Sequence, residues 1–230
     1  MSKIKVVLWD IDGTLLNFEE AEKNAIRACF AQFELGWCSD EMLADYSAIN
    51  KVYWQRLERG ELTKPEVLVG RFREFFTKYG LNTACVPEFN AQYQLALGDT
   101  ICFYDQALET VLELQGKVKQ YAVTNGTAVA QKKKLARSRL EELLDGTFIS
   151  DKIGFEKPRI EFFDHVWENI GHYEKDEVLI VGDSMTSDMQ GGNNAGILCC
   201  WFNPRGEQPK PGIRIDYEIS RISQVLEICR

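Results

Sequence analysis

The chain has 230 residues and a mass of 26.4 kDa, a length that suits one compact core carrying a sizeable insert better than two full domains. Hydrophobic residues at 45%, charged residues at 27% and only 6 prolines exclude collagenous, low-complexity and fibrous classes. With 27 basic against 35 acidic residues the net charge is −8, which argues against a nucleic-acid polymer or a membrane surface as partner, because both are anionic.

In chain order, Ile4 to Trp9 is a short β-rich run ending in Asp10-Ile11-Asp12-Gly13, the pattern of a buried parallel strand that enters a polar loop. Charged Asp10 follows only four consecutive apolar residues, so the Met1 to Leu8 stretch predicts neither a signal peptide nor a membrane span. Seven cysteines, an odd number without a C-x-x-C pair, suit a reducing compartment, and a cytoplasmic location is expected.

From Leu15 to about Cys102 no strand pattern occurs. Helical periodicity covers segments near 19–34, 40–59, 64–79 and 87–97, with Leu43, Tyr46, Tyr53 and Leu57 on one apolar stripe and Leu68, Phe72, Phe75 and Tyr79 on another. The expectation is an inserted α-helical cap domain over 15–102, with 1–14 and 103–230 forming the core domain. Val118 to Val123 then ends in Thr124-Asn125-Gly126, and Lys132, Lys133, Lys134, Arg137 and Arg139 follow at helical spacing, which reads as a solvated helix face. Gly146 to Ser150 offers a shorter strand that leads through Lys157-Pro158 into a helix whose first turn suits Pro158, with Ile160, Phe163, Val166 and Ile170 at apolar spacing. Val178 to Val181, Ile197 to Phe202 and the segment near Asp216 to Ile219 complete the strands, and Ile222 to Ile228 predicts a closing helix. Strand alternating with helix is the signature of an α/β, doubly wound, Rossmann-like parallel sheet.

In such sheets ligands bind beyond the carboxyl ends of the strands. Four segments deliver polar residues to that edge: Asp10 and Asp12, Thr124 and Asn125, Lys157, then Asp183 and Asp188. Alternate carboxylates, a hydroxyl, a lysine and a second acidic pair suit a magnesium ion and a phosphoryl group together. Taken singly each has a plainer reading, as a turn, a helix cap or a surface lysine. The calcium-loop reading of Asp10-Ile11-Asp12-Gly13 fails because position twelve is Ala21. No P-loop or G-x-G-x-x-G motif occurs, and His165 and His172 read as structural.

The set resembles the haloacid dehalogenase superfamily, with D-x-D-G-T at Asp10 to Thr14, the hydroxyl at Thr124, the lysine at Lys157 and G-D-x-x-x-x-D at Gly182 to Asp188. A helical insert directly after strand one is similar to the first cap subclass of that superfamily. Ile49-Asn50-Lys51, Trp54, Gly60-Glu61-Leu62-Thr63 and Gly70-Arg71-Phe72 resemble the cap of the YjjG/YfnB-like pyrimidine 5'-nucleotidase branch, while Gly13 and Asp151 depart from it. The resemblance implies a magnesium-dependent phosphatase in which Asp10 is the nucleophile, Asp12 the general acid and base, and Lys157 the charge-stabilising lysine. It further implies metal ligands from Asp10, the Asp12 carbonyl, Asp183 and, directly or through water, Asp188. Phosphate would rest on Thr124 and the amides of Asn125 and Gly126. Arg71, Lys51 and Trp54 are candidate contacts for the leaving group, Arg71 being equally suited to a structural pairing. A small phosphorylated metabolite, foremost a nucleoside monophosphate, is the expected partner. A sugar-phosphate or phosphoglycolate phosphatase is the alternative, and a phosphomutase of the β-phosphoglucomutase kind is disfavoured because no histidine precedes His165.

Overall fold

The computed structural model describes residues 3–230, so the first two positions of the Met1 to Leu8 stretch lie outside the described residues. Two compact units result, one formed by the chain up to Asn17 together with Cys102–Arg230, the other by Phe18–Ile101.

The first unit carries six parallel strands, β1 (Val6–Trp9), β2 (Lys119–Thr124), β3 (Gly146–Ile149), β4 (Val178–Gly182), β5 (Leu198–Phe202) and β6 (Tyr217–Ile219), in the order β3-β2-β1-β4-β5-β6. Each strand expected from the sequence is present. Every residue of β1 and β4 is buried, as expected of a parallel sheet covered on both faces. Val6 stands opposite Lys119 of β2 on one side and Val178 of β4 on the other. The winding reverses between β1 and β4, and that reversal is where open α/β sheets leave a crevice at their carboxyl edge.

The second unit is four helices, α1 (Phe18–Gln32), α2 (Asp40–Glu58), α3 (Lys64–Lys78) and α4 (Val86–Ala96). Ser39 caps α2 by accepting the Met42 amide, and Thr63 with Glu66 closes a capping box on α3. Their apolar stripes meet in an aromatic core: Tyr46 stacks on Phe72 at 4.9 Å, and Phe72 and Phe76 meet Phe89 edge-on at 5.0 and 4.9 Å. Tyr53 and Leu68, assigned to those stripes from sequence, are only half-buried.

The sheet is flanked by α5 (Ala107–Leu114), α6 (Ala128–Arg137), α7 (Leu140–Leu143), α8 (Ser150–Ile153), α9 (Ile160–Ile170), α10 (Gln190–Ala195) and α11 (Val225–Ile228). Phe163, Val166 and Ile170 of α9 join Leu8, Val123 and Ile180 in one buried cluster. Across the sheet, the Trp9 indole donates to Gln120 Oε1 at 3.0 Å, and Gln120 Nε2 donates to the Val111 carbonyl at 3.0 Å. The chain leaves for the helical insert and returns at one point: the Asn17 N–H donates to the Cys102 carbonyl at 2.8 Å, and Leu16 bridges Phe103 in antiparallel fashion.

Three local expectations need correction. Pro158 precedes α9 rather than opening it; Arg159 is the cap residue, and the Pro158 carbonyl instead accepts Asn194 Nδ2 at 2.9 Å. The closing segment is a 3₁₀ turn over Ile222–Gln224 followed by the single turn of α11. The basic cluster is not one solvated helix face: Lys132 and Arg137 on α6 are exposed, as is Arg139 beyond its end, but Lys134 is buried on the face shared with Ala130 and Leu135. No helix among the described residues is long and apolar enough to cross a membrane.

Candidate active site

The carboxyl ends of β1, β2 and β4 bring Asp10, Thr124 and Asp183 to one edge of the sheet. Asp10 follows β1 directly, and its amide donates to the Val181 carbonyl at 2.9 Å, continuing the ladder with β4. Gly13 turns the loop back with φ +101°, and a Cβ there would stand 2.7 Å from the Asp183 carboxylate. Glycine therefore serves both the backbone conformation and the close approach. The Thr14 hydroxyl lies 3.1 Å from Asp10 Oδ2 and 3.4 Å from Asp183 Oδ1, and accepts the Asp183 amide at 3.1 Å. Sequence reasoning left Thr14 without a role of its own; it joins the two aspartate loops.

Lys157 is fully enclosed. Its ammonium donates to Asp10 Oδ1 at 2.8 Å, Asp188 Oδ1 at 2.6 Å and the Val123 carbonyl at 2.7 Å, using all three of its protons. Burial opposes the charge on Lys157, but the adjoining Asp10 and Asp188 carboxylates outweigh burial and raise its pKa. Asn125 fixes the lysine loop by donating to the Lys157 carbonyl and accepting the Lys157 amide, both at 2.8 Å. Its side chain is thereby committed to the protein. The Thr124 hydroxyl is buried and accepts the Gly126 amide at 3.1 Å.

Asp188 sits in a π-helical turn over Met185–Met189, and its Oδ2 accepts the Ser184 amide at 3.0 Å. That carboxylate packs over Gly182, where an added Cβ would meet Asp188 Cγ at 2.3 Å. Carboxylate oxygens of Asp10, Asp183 and Asp188 all lie within 4.8 Å of one another. Three acids around one ammonium leave a surplus of negative charge, and burial, first of all, pushes the Asp10 carboxyl up despite Lys157. A hard divalent cation with oxygen ligands fits this donor set, since it would neutralise the surplus and take its ligands from these carboxylates.

Asp12 is half-exposed, and its two oxygens point to α6: Oδ1 meets the Lys134 ammonium at 2.5 Å and Oδ2 accepts Gln131 Nε2 at 2.6 Å. Neither partner was singled out from sequence as a functional residue. The signal that could have found them is the burial face of α6, where Gln131 and Lys134 share the apolar side with Ala130 and Leu135 at three-to-four-residue spacing. The departure at Asp151 has a structural use, because its Oδ2 accepts the Ala128 amide at 3.0 Å in the first turn of α6.

In the helical unit Arg71 is 1% exposed. Its Nη1 donates to Asn50 Oδ1 at 2.6 Å, its Nη2 to Asn90 Oδ1 at 3.4 Å, and the guanidinium lies against the Phe72 and Tyr93 rings. Asn50 also donates to Glu22 Oε1 at 2.7 Å. Trp54 is half-buried beside Arg71, and Lys51 is exposed on α2.

The model of the haloacid dehalogenase-like hydrolase family matches residues 4–196, the stretch that holds every one of these aspartates. The chain belongs to that family. Among relatives of this haloacid dehalogenase-like hydrolase is the HAD-hydrolase YfnB of Bacillus subtilis, 34% identical over 99% of this chain and 96% of that protein. The crystal structure of YfnB bound to magnesium superposes with a TM-score of 0.93 and covers 99% of both chains. Pyrimidine 5'-nucleotidase PynA of Streptococcus pneumoniae is 32% identical over 97% of this chain and 94% of its own length. Pyrimidine 5'-nucleotidase YjjG of Escherichia coli is 26% identical, covering 96% of each.

Proposed function

We propose that this hydrolase is a magnesium-dependent phosphomonoesterase acting on pyrimidine nucleoside 5'-monophosphates. The observation that carries the chemistry is the Asp10 carboxylate held by Lys157 beside Asp183 and Asp188, with the second carboxylate of Asp12 one turn of loop away. The substrate class is supported by the two pyrimidine nucleotidases among its relatives.

Asp10, Asp183 and Asp188, with the backbone carbonyl of Asp12, are the residues to hold the cation, which when bound supplies positive charge to phosphoryl oxygens. Asp10 attacks phosphorus, so that a bond forms between its carboxylate oxygen and phosphorus while the ester bond to the leaving oxygen breaks. Asp12 delivers a proton to that oxygen, and the nucleoside departs as a neutral alcohol. In the second half Asp12 takes the proton back from an attacking water, which releases inorganic phosphate and restores Asp10. Lys157 and the amides of the Thr124-Asn125-Gly126 loop offset the charge on the transferring group throughout. Lys51 and Trp54, whose side chains reach solvent in the helical unit, are put forward as base contacts.

The test is phosphate release from uridine, thymidine, adenosine and guanosine monophosphates and from sugar phosphates, with magnesium or with a chelator. Pyrimidine nucleotides with magnesium should lead the panel, and Asp10→Asn should abolish turnover while leaving the melting profile intact. Undiminished release by folded Asp10→Asn would refute the aspartyl-phosphate route. A panel led by sugar phosphates would refute the substrate class alone.

A further inference from the structure

We infer that Lys134 and Gln131 form a positioning pair that aims the Asp12 carboxylate at the leaving oxygen. The inference rests on the proposed acid and base role of Asp12. The pair comes from one face of α6, three residues apart, so one helix places both donors at once. Each carboxylate oxygen of Asp12 has its own donor, Lys134 Nζ at 2.5 Å and Gln131 Nε2 at 2.6 Å. Two-point attachment fixes the plane of the carboxylate, which a single hydrogen bond would leave free to rotate about its bond.

Two further observations separate this pairing from ordinary core packing. Gln131 is 1% exposed, and among the described residues its Oε1 is buried with no hydrogen-bond partner. Turning the amide over would set Oε1 against the Asp12 carboxylate, oxygen against oxygen, so the amide nitrogen is held toward Asp12 although the other end goes unsatisfied. Stability alone favours an apolar side chain there. Gly126 meets the same requirement, because a Cβ at that position would stand 2.2 Å from Gln131 Nε2. Lys134 is likewise 1% exposed, where a methionine would fill the volume without the desolvation cost of an ammonium. The polar pair therefore matches a geometric demand at Asp12 more closely than a packing demand in the core.

The test uses Lys134→Met and Gln131→Met, each alone and combined with Asp12→Asn, in the full chain with magnesium. Two esters are compared: a nucleoside monophosphate, whose alkoxide leaving group needs a proton, and 4-nitrophenyl phosphate, whose leaving group hardly does. Lys134→Met should lower kcat for the nucleotide by about 10- to 100-fold, a fraction of what a positioned general acid contributes, with KM changed less than about threefold and with a much smaller loss for the aryl ester. In the Asp12→Asn background the same substitution should cost nothing further, since its effect runs through Asp12. Equal losses for both esters, or losses that multiply with Asp12→Asn, would overturn the inference. If Asp12→Asn itself left turnover untouched, the acid and base reading would have failed, and the pair is then judged by crystallography. An Asp12 carboxylate unmoved in the Lys134→Met, Gln131→Met double variant would overturn it; a rotated or disordered one would uphold the pairing. Should Lys134→Met fail to fold, Gln131→Met carries the same comparisons.

Discussion

Replacing Lys157 by methionine isolates the electrostatics of the site from its packing, because the sulfur-containing chain fills the volume of the lysine stem while removing its ammonium. Three hydrogen bonds disappear, two of them to the Asp10 and Asp188 carboxylates. Both acids are buried, so in metal-free protein they are left facing each other without a counter-charge. Removing one partner of a buried ion pair costs roughly 3–5 kcal/mol. For chains of 150–250 residues about 1 kcal/mol corresponds to 2–4 °C in Tm, so a fall of about 6–20 °C is expected in chelator. Magnesium at about one hundred times its Kd adds about 2.7 kcal/mol to each protein if it binds only the folded chain, so at equal saturation the gap between them persists. Lowering the pH narrows it, since protonated carboxyls no longer repel. Differential scanning calorimetry of wild type and Lys157→Met, at neutral and mildly acidic pH and with or without magnesium, gives the difference in Tm under all four conditions. A fall of less than about 2 °C at neutral pH in chelator, or a fall that grows on acidification, would refute the reasoning.

The pH dependence of the metal-free wild type follows from Asp10, whose folded pKa, pushed up to about 7, exceeds the unfolded value. The folded state then binds the extra proton, so stability should decline as pH rises from about 4 to about 7, and urea titrations at fixed pH should show the midpoint falling across that window. Lys157 follows the same sign at higher pH: its folded pKa also lies above the unfolded one, so its contribution persists through neutral pH and is lost only in strong alkali. Gly13→Ala should cut magnesium affinity, since φ +101° disfavours alanine and its Cβ would press on the Asp183 carboxylate; calorimetric titration with magnesium reads this directly, and unchanged affinity would count against Asp183 as a ligand. Phe72→Ala, at the centre of the aromatic core of the helical unit, should cost about 3–5 kcal/mol in stability, measurable as a lowered denaturation midpoint. Arg71→Ala should lower the denaturation midpoint too and reduce kcat/KM evenly across substrates, because its donors serve Asn50 and Asn90; a loss confined to pyrimidine nucleotides would instead mark it as a base contact.

The elements legible in the sequence are those whose signal is local. The short apolar runs before Asp10 and Asp183 are parallel strands, every residue of them buried, as a strand covered on both faces requires. The four helices of the insert follow from stripes that meet in one aromatic core. What the sequence concealed depends on long-range pairing. Lys134 sits in a run of basic residues, and nothing near it shows that Asp12, 122 positions away, turns it inward. Asn125 reads as a phosphate contact through its backbone amide, and nothing local to it shows that its side chain clamps both backbone groups of Lys157. Pro158 obeys a sound rule for helix starts, yet α9 begins two residues later because the preceding carbonyl is claimed by Asn194.

The paired segments at Asn17 and Cys102 have a consequence for how such a chain can change over time. Since outgoing and returning backbone are already hydrogen-bonded at the rim of the sheet, whatever is spliced between them closes a loop whose ends the sheet itself has brought together. Doubling the length of such an insertion adds only about 0.6 kcal/mol to the entropy of closure. Insert size is therefore nearly neutral to the folding of the strands, and the helical segment can be lengthened, recombined or exchanged for another module without renegotiating the geometry around Asp10. An expressed chain in which 18–101 is replaced by a short glycine-rich turn should retain the six-stranded sheet, which makes the junction a natural seam for building chimaeras.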